Sequence, residues 1–149
     1  MARSIPTAFF NMDNVILMGS SAGAIMAAQF GTVISNPEYA ALLNIVPVLS
    51  LEQVSAVVVD DAPIDYENMT LNCKLLIGNY VKGSIYLNED ELNRYECIPH
   101  MTSDYPTAFL LGSEYRNAIT VNLKKIIESS YYNMAIYVFG RNGIFVTLI

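Results

Sequence analysis

The sequence predicts an α/β fold, a mainly parallel sheet flanked by helices. Three observations carry that expectation. Short apolar runs bounded by turn-forming residues recur along the chain, and stretches with helical spacing separate them. The 149 residues are 53% hydrophobic and 15% charged, apolar enough for a closed core and too apolar for a disordered segment. Strands alternating with helices need crossover connections, which are right-handed and lay the strands parallel. With no internal repeat and no low-complexity linker, residues 1–149 read as one domain.

The first run, Val15-Ile16-Leu17-Met18, sits between Asp13-Asn14 and Gly19 and reads as a buried strand. Ala22 to about Ile34, rich in Ala, Met, Gln and Phe, reads as a helix packed closely on the sheet. Asn36-Pro37-Glu38 starts the next helix: Asn as cap, Pro in the first turn, then an acid facing the helix dipole. Val54 to Val59 is the second strand and ends at Asp60-Asp61-Ala62-Pro63. From about 66 to 99 the pattern turns irregular, with short helices expected near Leu71–Asn79 and Glu89–Tyr95. Thr107 to Leu111 is the third strand and Met134 to Phe139 the fourth. Between them, Asn117 to Ser129 has helical spacing through Ile119, Leu123, Ile126 and Ile127.

Composition excludes several function classes. There are 14 acidic against 8 basic residues, a formal charge of −6. A chain with that balance and no basic stripe is not built for nucleic acid or for anionic membrane surfaces. No charge falls between Asp13 and Glu38, but Gly19, Ser20, Ser21, Gly23, Gln29, Gly31, Ser35 and Asn36 make that stretch too polar for a span or a stable membrane anchor. Cys73 and Cys97 have no metal-like spacing and read as free thiols in a reducing compartment, the cytoplasm. His100 is the one histidine, which removes zinc sites built from His and Cys. Asp60, Asp61 and Asp65 read as caps for the following turn and helix rather than as metal ligands. The ten tyrosines read mostly as half-buried packing residues, with an aromatic pocket lining as the functional alternative. No metal or cofactor is expected.

The chemistry is concentrated in Gly19-Ser20-Ser21-Ala22-Gly23, a G-x-S-x-G placed where a strand runs directly into a helix. Such a turn forces its central serine into a strained backbone conformation and needs small neighbours so that strand and helix can approach. Gly19, Ala22 and Gly23 meet that demand. Ser21 would project its hydroxyl beyond the C-terminal end of the strand, where ligands bind in open α/β sheets. The Ala22 amide, at the helix N-terminus, would face a developing oxyanion. Glycine-rich turns of this kind also bind phosphate, but the full G-x-G-x-x-G of dinucleotide folds is absent.

The segment from Asp13 to Gly23 resembles the nucleophile region of esterases and lipases of the α/β-hydrolase superfamily, close to the hormone-sensitive-lipase-like and acetyl-esterase branches. Asp60-Asp61-Ala62-Pro63-Ile64-Asp65 is similar to the segment after their next strand. Ser103 to Gly112 is similar to the strand leading to their catalytic acid. The resemblance, from about Asp13 to Phe139, implies a truncated three-layer α/β-hydrolase sheet with a cap-like helical insert at about 66–99. It implies hydrolysis of small-molecule carboxylic esters through an acyl-serine, with Ser21 as nucleophile and the Ala22 amide in the oxyanion hole.

The departures from the family pattern bear on activity. Its His-Gly-Gly oxyanion segment lies well upstream of the elbow, and only twenty residues precede Ser21 here. Three residues after Gly112 the family has an aspartate; this chain has Tyr115, with Glu114 beside it as the expected acid. The family's His-Gly-Phe-like stretch is matched by Asn142-Gly143-Ile144-Phe145, so the base is unassigned. His100, before the third strand, reads as a loop histidine. Two other readings therefore stand beside the esterase: a non-catalytic hydrolase fragment acting in binding or assembly, and a phosphate- or nucleotide-binding domain. A homo-oligomer is expected, because without earlier strands Val15 to Met18 becomes an uncharged sheet edge.

Overall fold

The computed structural model describes residues 12–67, 69–113, 134–140 and 143–148. Its strands are β1 (Val15–Ser20), β2 (Val54–Asp60), β3 (Ala108–Ser113), β4 (Met134–Gly140) and β5 (Gly143–Leu148), joined side by side in chain order. The first four run parallel, as the crossover argument requires, and β5 returns antiparallel along β4. The fifth strand is a departure from the expected four. In the sequence only Asn142 to Phe145 is singled out, as the place of the family's histidine stretch, yet the run of apolar and β-branched residues from Gly143 to Leu148 pairs along β4 from Gly140↔Gly143 to Ala135↔Leu148. The helix expected over Asn117 to Ser129 lies outside the described residues.

The helices are α1 (Ala22–Ser35), α2 (Pro37–Leu43), α3 (Leu71–Lys82) and α4 (Glu89–Tyr95). Local chemistry sets their ends. The Asn36 side chain accepts from the Glu38 and Tyr39 amides at 2.9 and 3.1 Å, with Pro37 in the first turn of α2. Thr70 caps α3, and Gly83 closes it in the left-handed conformation at φ 70°. The expectation that Asp60, Asp61 and Asp65 cap the following turn and helix is corrected for the helix, where Thr70 holds the capping position. Asn88 and Glu91 form a reciprocal capping box on α4, whose first turn is acidic and whose last carries Arg94.

α1 lies on one face of β1 and β2. It can approach because its inward stripe is small: Ala24 and Ala28 are fully buried against Val57 of β2, which is also fully buried. At Gly31 even a methyl group is excluded, because a Cβ there would lie 2.6 Å from the Tyr105 hydroxyl oxygen. That hydroxyl donates to the Ala28 carbonyl at 3.1 Å, fastening the segment before β3 to α1. Tyr39 of α2 is buried and donates to the Arg94 carbonyl of α4 at 2.8 Å. On the opposite face of β1, Ile16 and Met18 are 62% and 71% exposed, and β2 is the strand's one partner among the described residues. Among those residues no helix is long and apolar enough to cross a membrane.

Candidate active site

The C-terminal ends of the parallel strands meet along one sheet edge, with Ser20 opposite Asp60 and Asp60 opposite Leu111. Ser21 turns the chain from β1 into α1 with φ 54° and ψ −118°, a conformation that costs a non-glycine residue about 1–3 kcal/mol. The surroundings hold it there. Its amide donates to the Asp60 carbonyl at 2.8 Å, and its own carbonyl accepts from the Ala24 and Ile25 amides at 3.1 and 3.2 Å. One strand over, the Asp61 amide donates to the Leu111 carbonyl at 2.9 Å, so the elbow is tied through β2 to β3.

The Ser21 hydroxyl, by contrast, is left out of the local bonding. Serine is a good helix cap, yet this side chain makes no capping bond and the residue is exposed. The backbone is held at both ends while the hydroxyl makes no bond to the helix it precedes. Ala22 stands at the first helical position, where an amide has no acceptor within its own helix and carries the positive end of the helix dipole.

The two motif glycines are not equivalent. A Cβ at Gly19 would lie 2.2 Å from the Gly23 carbonyl carbon and oxygen and 2.7 Å from the Ala24 nitrogen, all backbone. At Gly23 a Cβ would meet nothing within 4 Å. The expectation that both must be small is thus corrected for Gly23: its backbone is what approaches Gly19, and its missing side chain leaves open space.

Beside the elbow, a cavity of about 280 Å³ is lined by Ala22, Ile25, Met26 and Gln29 of α1, Leu76, Ile77 and Tyr80 of α3, and Tyr95 of α4. Two polar residues of the lining are engaged: Gln29 Nε2 donates to the Tyr95 carbonyl at 2.7 Å, and the Tyr95 hydroxyl donates to the Pro63 carbonyl at 2.9 Å. Burial pushes the Tyr95 phenol well above its ordinary range, with a smaller contribution from the Cys97 thiol nearby, so it stays neutral. Sequence reading missed this cavity. Its signal was the spacing 22, 25, 26, 29 on α1 matched by 76, 77, 80 on α3, which aligns each set on one helix face.

His100 is elsewhere. Its ring stacks on Tyr39 with centroids 4.4 Å apart, and its Nε2 lies 2.9 Å from the Asn93 carbonyl oxygen. Its own carbonyl accepts from Asn36 Nδ2 at 2.7 Å, beyond the far end of the 14-residue α1; at 1.5 Å per residue that end is roughly 21 Å from Ser21. Glu114 and Asn142 lie outside the described residues. The end of β4 stands three strand spacings from that of β1, roughly 14 Å. Among the described residues no three His, Cys, Asp or Glu side chains group as a metal would require.

No family model and no curated protein matches the sequence. Among solved structures the chain is similar to one titled a crystal structure of a C6-C4 SN3 inhibited esterase B from Lactobacillus rhamnosis, with a TM-score of 0.70 at 14% identity. The match covers 89% of this chain and 44% of the esterase chain, so the protein spans less than half that structure's length. Likeness at this level is likeness of fold: the chain has an α/β-hydrolase-like architecture that matches part of the esterase structure.

Proposed function

We propose that this chain carries the nucleophile region of an esterase-type serine hydrolase acting on small-molecule carboxylic esters. The observation that supports this most is Ser21: strained, held at both ends by backbone bonds, and presenting an uncommitted hydroxyl beside an apolar cavity. In this reading Ser21 Oγ attacks the ester carbonyl, the Ala22 amide stabilises the oxyanion, and collapse releases the alcohol and leaves an acyl-serine that water hydrolyses. Glu114, following β3, is the proposed acid. The helices between β2 and β3 act as a cap-like segment over residues 66–99. The exposed apolar side of β1 and its edge, unpaired among the described residues, favour a homo-oligomer, and the two free cysteines favour the cytoplasm.

The placement of His100 sets the expected rate. A serine hydroxyl without a base in reach is a poor nucleophile, and members of a triad act as a unit. By itself this chain acylates at Ser21 without rapid turnover. The same observation favours a second reading, a non-catalytic fragment that binds or assembles. A fluorophosphonate probe separates them: labelling mapped to Ser21 and lost in Ser21→Ala supports the hydrolase site. Absence of label at Ser21 after prolonged exposure to excess probe rejects it. Turnover of p-nitrophenyl acetate at roughly 1–1000 per second, the ordinary enzyme range, would show that the chain supplies a base that its one histidine does not.

A further inference from the structure

Among the described residues, the most exposed large apolar side chains sit in one short bend between α2 and β2. Val46 and Val48 are each 90% exposed there and Ile45 is 44% exposed, while Leu49 packs against the core. The bend is fastened at both ends. Asn44 closes α2 in the left-handed conformation at φ 56°. Its amide donates to the Ala41 carbonyl at 3.0 Å and the Ile45 amide to the Ala40 carbonyl at 2.9 Å, the paired bonds that end a helix. On the other side the Ser50 amide donates to Gln53 Oε1 at 3.0 Å, and Gln53 Nε2 to the Met12 carbonyl at 2.9 Å. Between these ties Pro47 fixes its own φ and disfavours helical backbone at Val46. The valines are thus held out in water by a stiff loop.

Beside the bend lies a groove of about 380 Å³, walled by Val33 and Ile34 of α1, Ala40 and Ala41 of α2, and Val46 and Pro47 of the bend itself. Among the described residues its lining carries no charge, so an ionic ligand would lose hydration there with nothing to replace it. Tip and groove form one patch, since Val46 belongs to both. A two-fold contact between identical chains needs a patch of this kind, because each copy must offer the same surface to the other. The sizes agree: 380 Å³ holds roughly twelve groups of methylene size at about 30 Å³ each, room for the Val46-Pro47-Val48 tip of another copy. The rim is acidic. Glu38 follows Pro37 and Glu52 comes shortly after Val48, both exposed, and no Lys or Arg occurs between Arg3 and Lys74.

We propose that this patch docks a second copy of the chain, the Val46-Pro47-Val48 tip of one protomer seated in the groove of its partner and the reverse, about a two-fold axis. The contact is separate from the one favoured at β1, because Ile16 and Met18 lie on the sheet face opposite α1 and this groove is lined by α1 and α2. It leaves the elbow open: the bend enters β2 at its N-terminal end, while Ser21 follows the C-terminal end of β1, which runs parallel to β2. One loop tip and one groove make a contact smaller than a standard interface of roughly 800 Å² per partner, so the dimer is weak and forms at high micromolar concentration. Its middle is apolar and its rims carry like charge, so added salt strengthens it by screening. An ionic contact would respond the other way.

Sedimentation equilibrium on the full chain, from low micromolar to millimolar, tests this. Every chain carries Met18→Lys, a charge on the exposed side of β1, so that β1 does not contribute. Two variants then take the contact apart. Val46→Ser with Val48→Ser removes the tip and keeps the groove; Ala41→Trp fills the groove and keeps the tip. All three positions are exposed, so the core is untouched, and unchanged urea midpoints check this. The chain with intact patch is expected to reach twice its mass, more readily in added NaCl. The serine variant loses on the order of 100-fold in association, at about fourfold for each methylene-sized group lost from both copies, and the tryptophan variant also stays monomeric. A one-to-one mixture of the two associates better than either alone, because one chain still offers a groove and the other still offers a tip. A monomer at every concentration overturns the proposal and leaves the groove to a segment of the same chain or to another partner. Association that survives both variants places the contact elsewhere and overturns it too. A mixture no better than its components, or a dimer weakened by NaCl, refutes the reciprocal seating.

Discussion

Replacing Gly19 and Gly23 separately by alanine tests how the elbow is built. At Gly19 the added methyl carbon would sit 2.2 Å from the Gly23 carbonyl carbon and oxygen and 2.7 Å from the Ala24 nitrogen, against an ordinary contact distance of 3.4–4 Å. None of these atoms belongs to a flexible side chain. The first turn of α1 would have to retreat by roughly 1 Å from β1, breaking the small-residue fit beneath it, so the penalty belongs at the top of the usual overpacking range, about 3 kcal/mol. For a protein of this size that is a fall in melting temperature of roughly 6–12 °C, a large share of the total stability of a typical domain, about 5–15 kcal/mol. Gly23→Ala places a methyl group in open space within a helix and is expected to be neutral or to stabilise by up to about 1 kcal/mol. Urea titration followed by far-UV circular dichroism reads both. If Gly19→Ala unfolds at the same urea concentration as the unaltered chain, or if the two substitutions cost alike, strand and helix do not meet as described. The geometric account of the elbow then fails.

Three further outcomes are expected. Ser21→Gly should raise thermal stability by about 1 kcal/mol or more by removing the strain at φ 54° while abolishing labelling by a fluorophosphonate; a loss of stability in scanning calorimetry would show that the turn is not strained. His100→Ala should leave the rate of Ser21 labelling unchanged and lower stability by about 1 kcal/mol through loss of the Tyr39 stack, whereas a drop in labelling would bring the histidine back to the site. Burial pushes the Cys97 thiol up to about 12, so the folded chain keeps that proton where the unfolded chain, with an ordinary thiol near 8.5, loses it. Its contribution to stability is therefore full below about pH 8.5 and is lost as the pH rises towards 12. Denaturation midpoints should fall through that window, less steeply in Cys97→Ala, and iodoacetamide should modify half-buried Cys73 before Cys97.

What the sequence determined by itself is local. The strand into Gly19, the turn at Ser21, the helix that comes after it, the Asn36-Pro37 start of α2 and the short helices near 71 and 89 depend on residue spacing and caps within a few positions, and those are written in order along the chain. The tertiary structure decided everything that depends on residues far apart meeting. It placed His100 with Asn36, Tyr39 and Asn93 at the far end of α1. It turned Gly143 to Leu148 into a fifth strand along β4. It assigned steric necessity to Gly19 and not to Gly23, although the two are interchangeable in the motif. The cavity was out of reach for the same reason: the stripes at 22–29 and 76–80 are each legible as a helix face. That they line one cavity is decided only when the chain between β1 and β3 brings the two helices together, because the distance between two helices is a property of packing and no single segment encodes it.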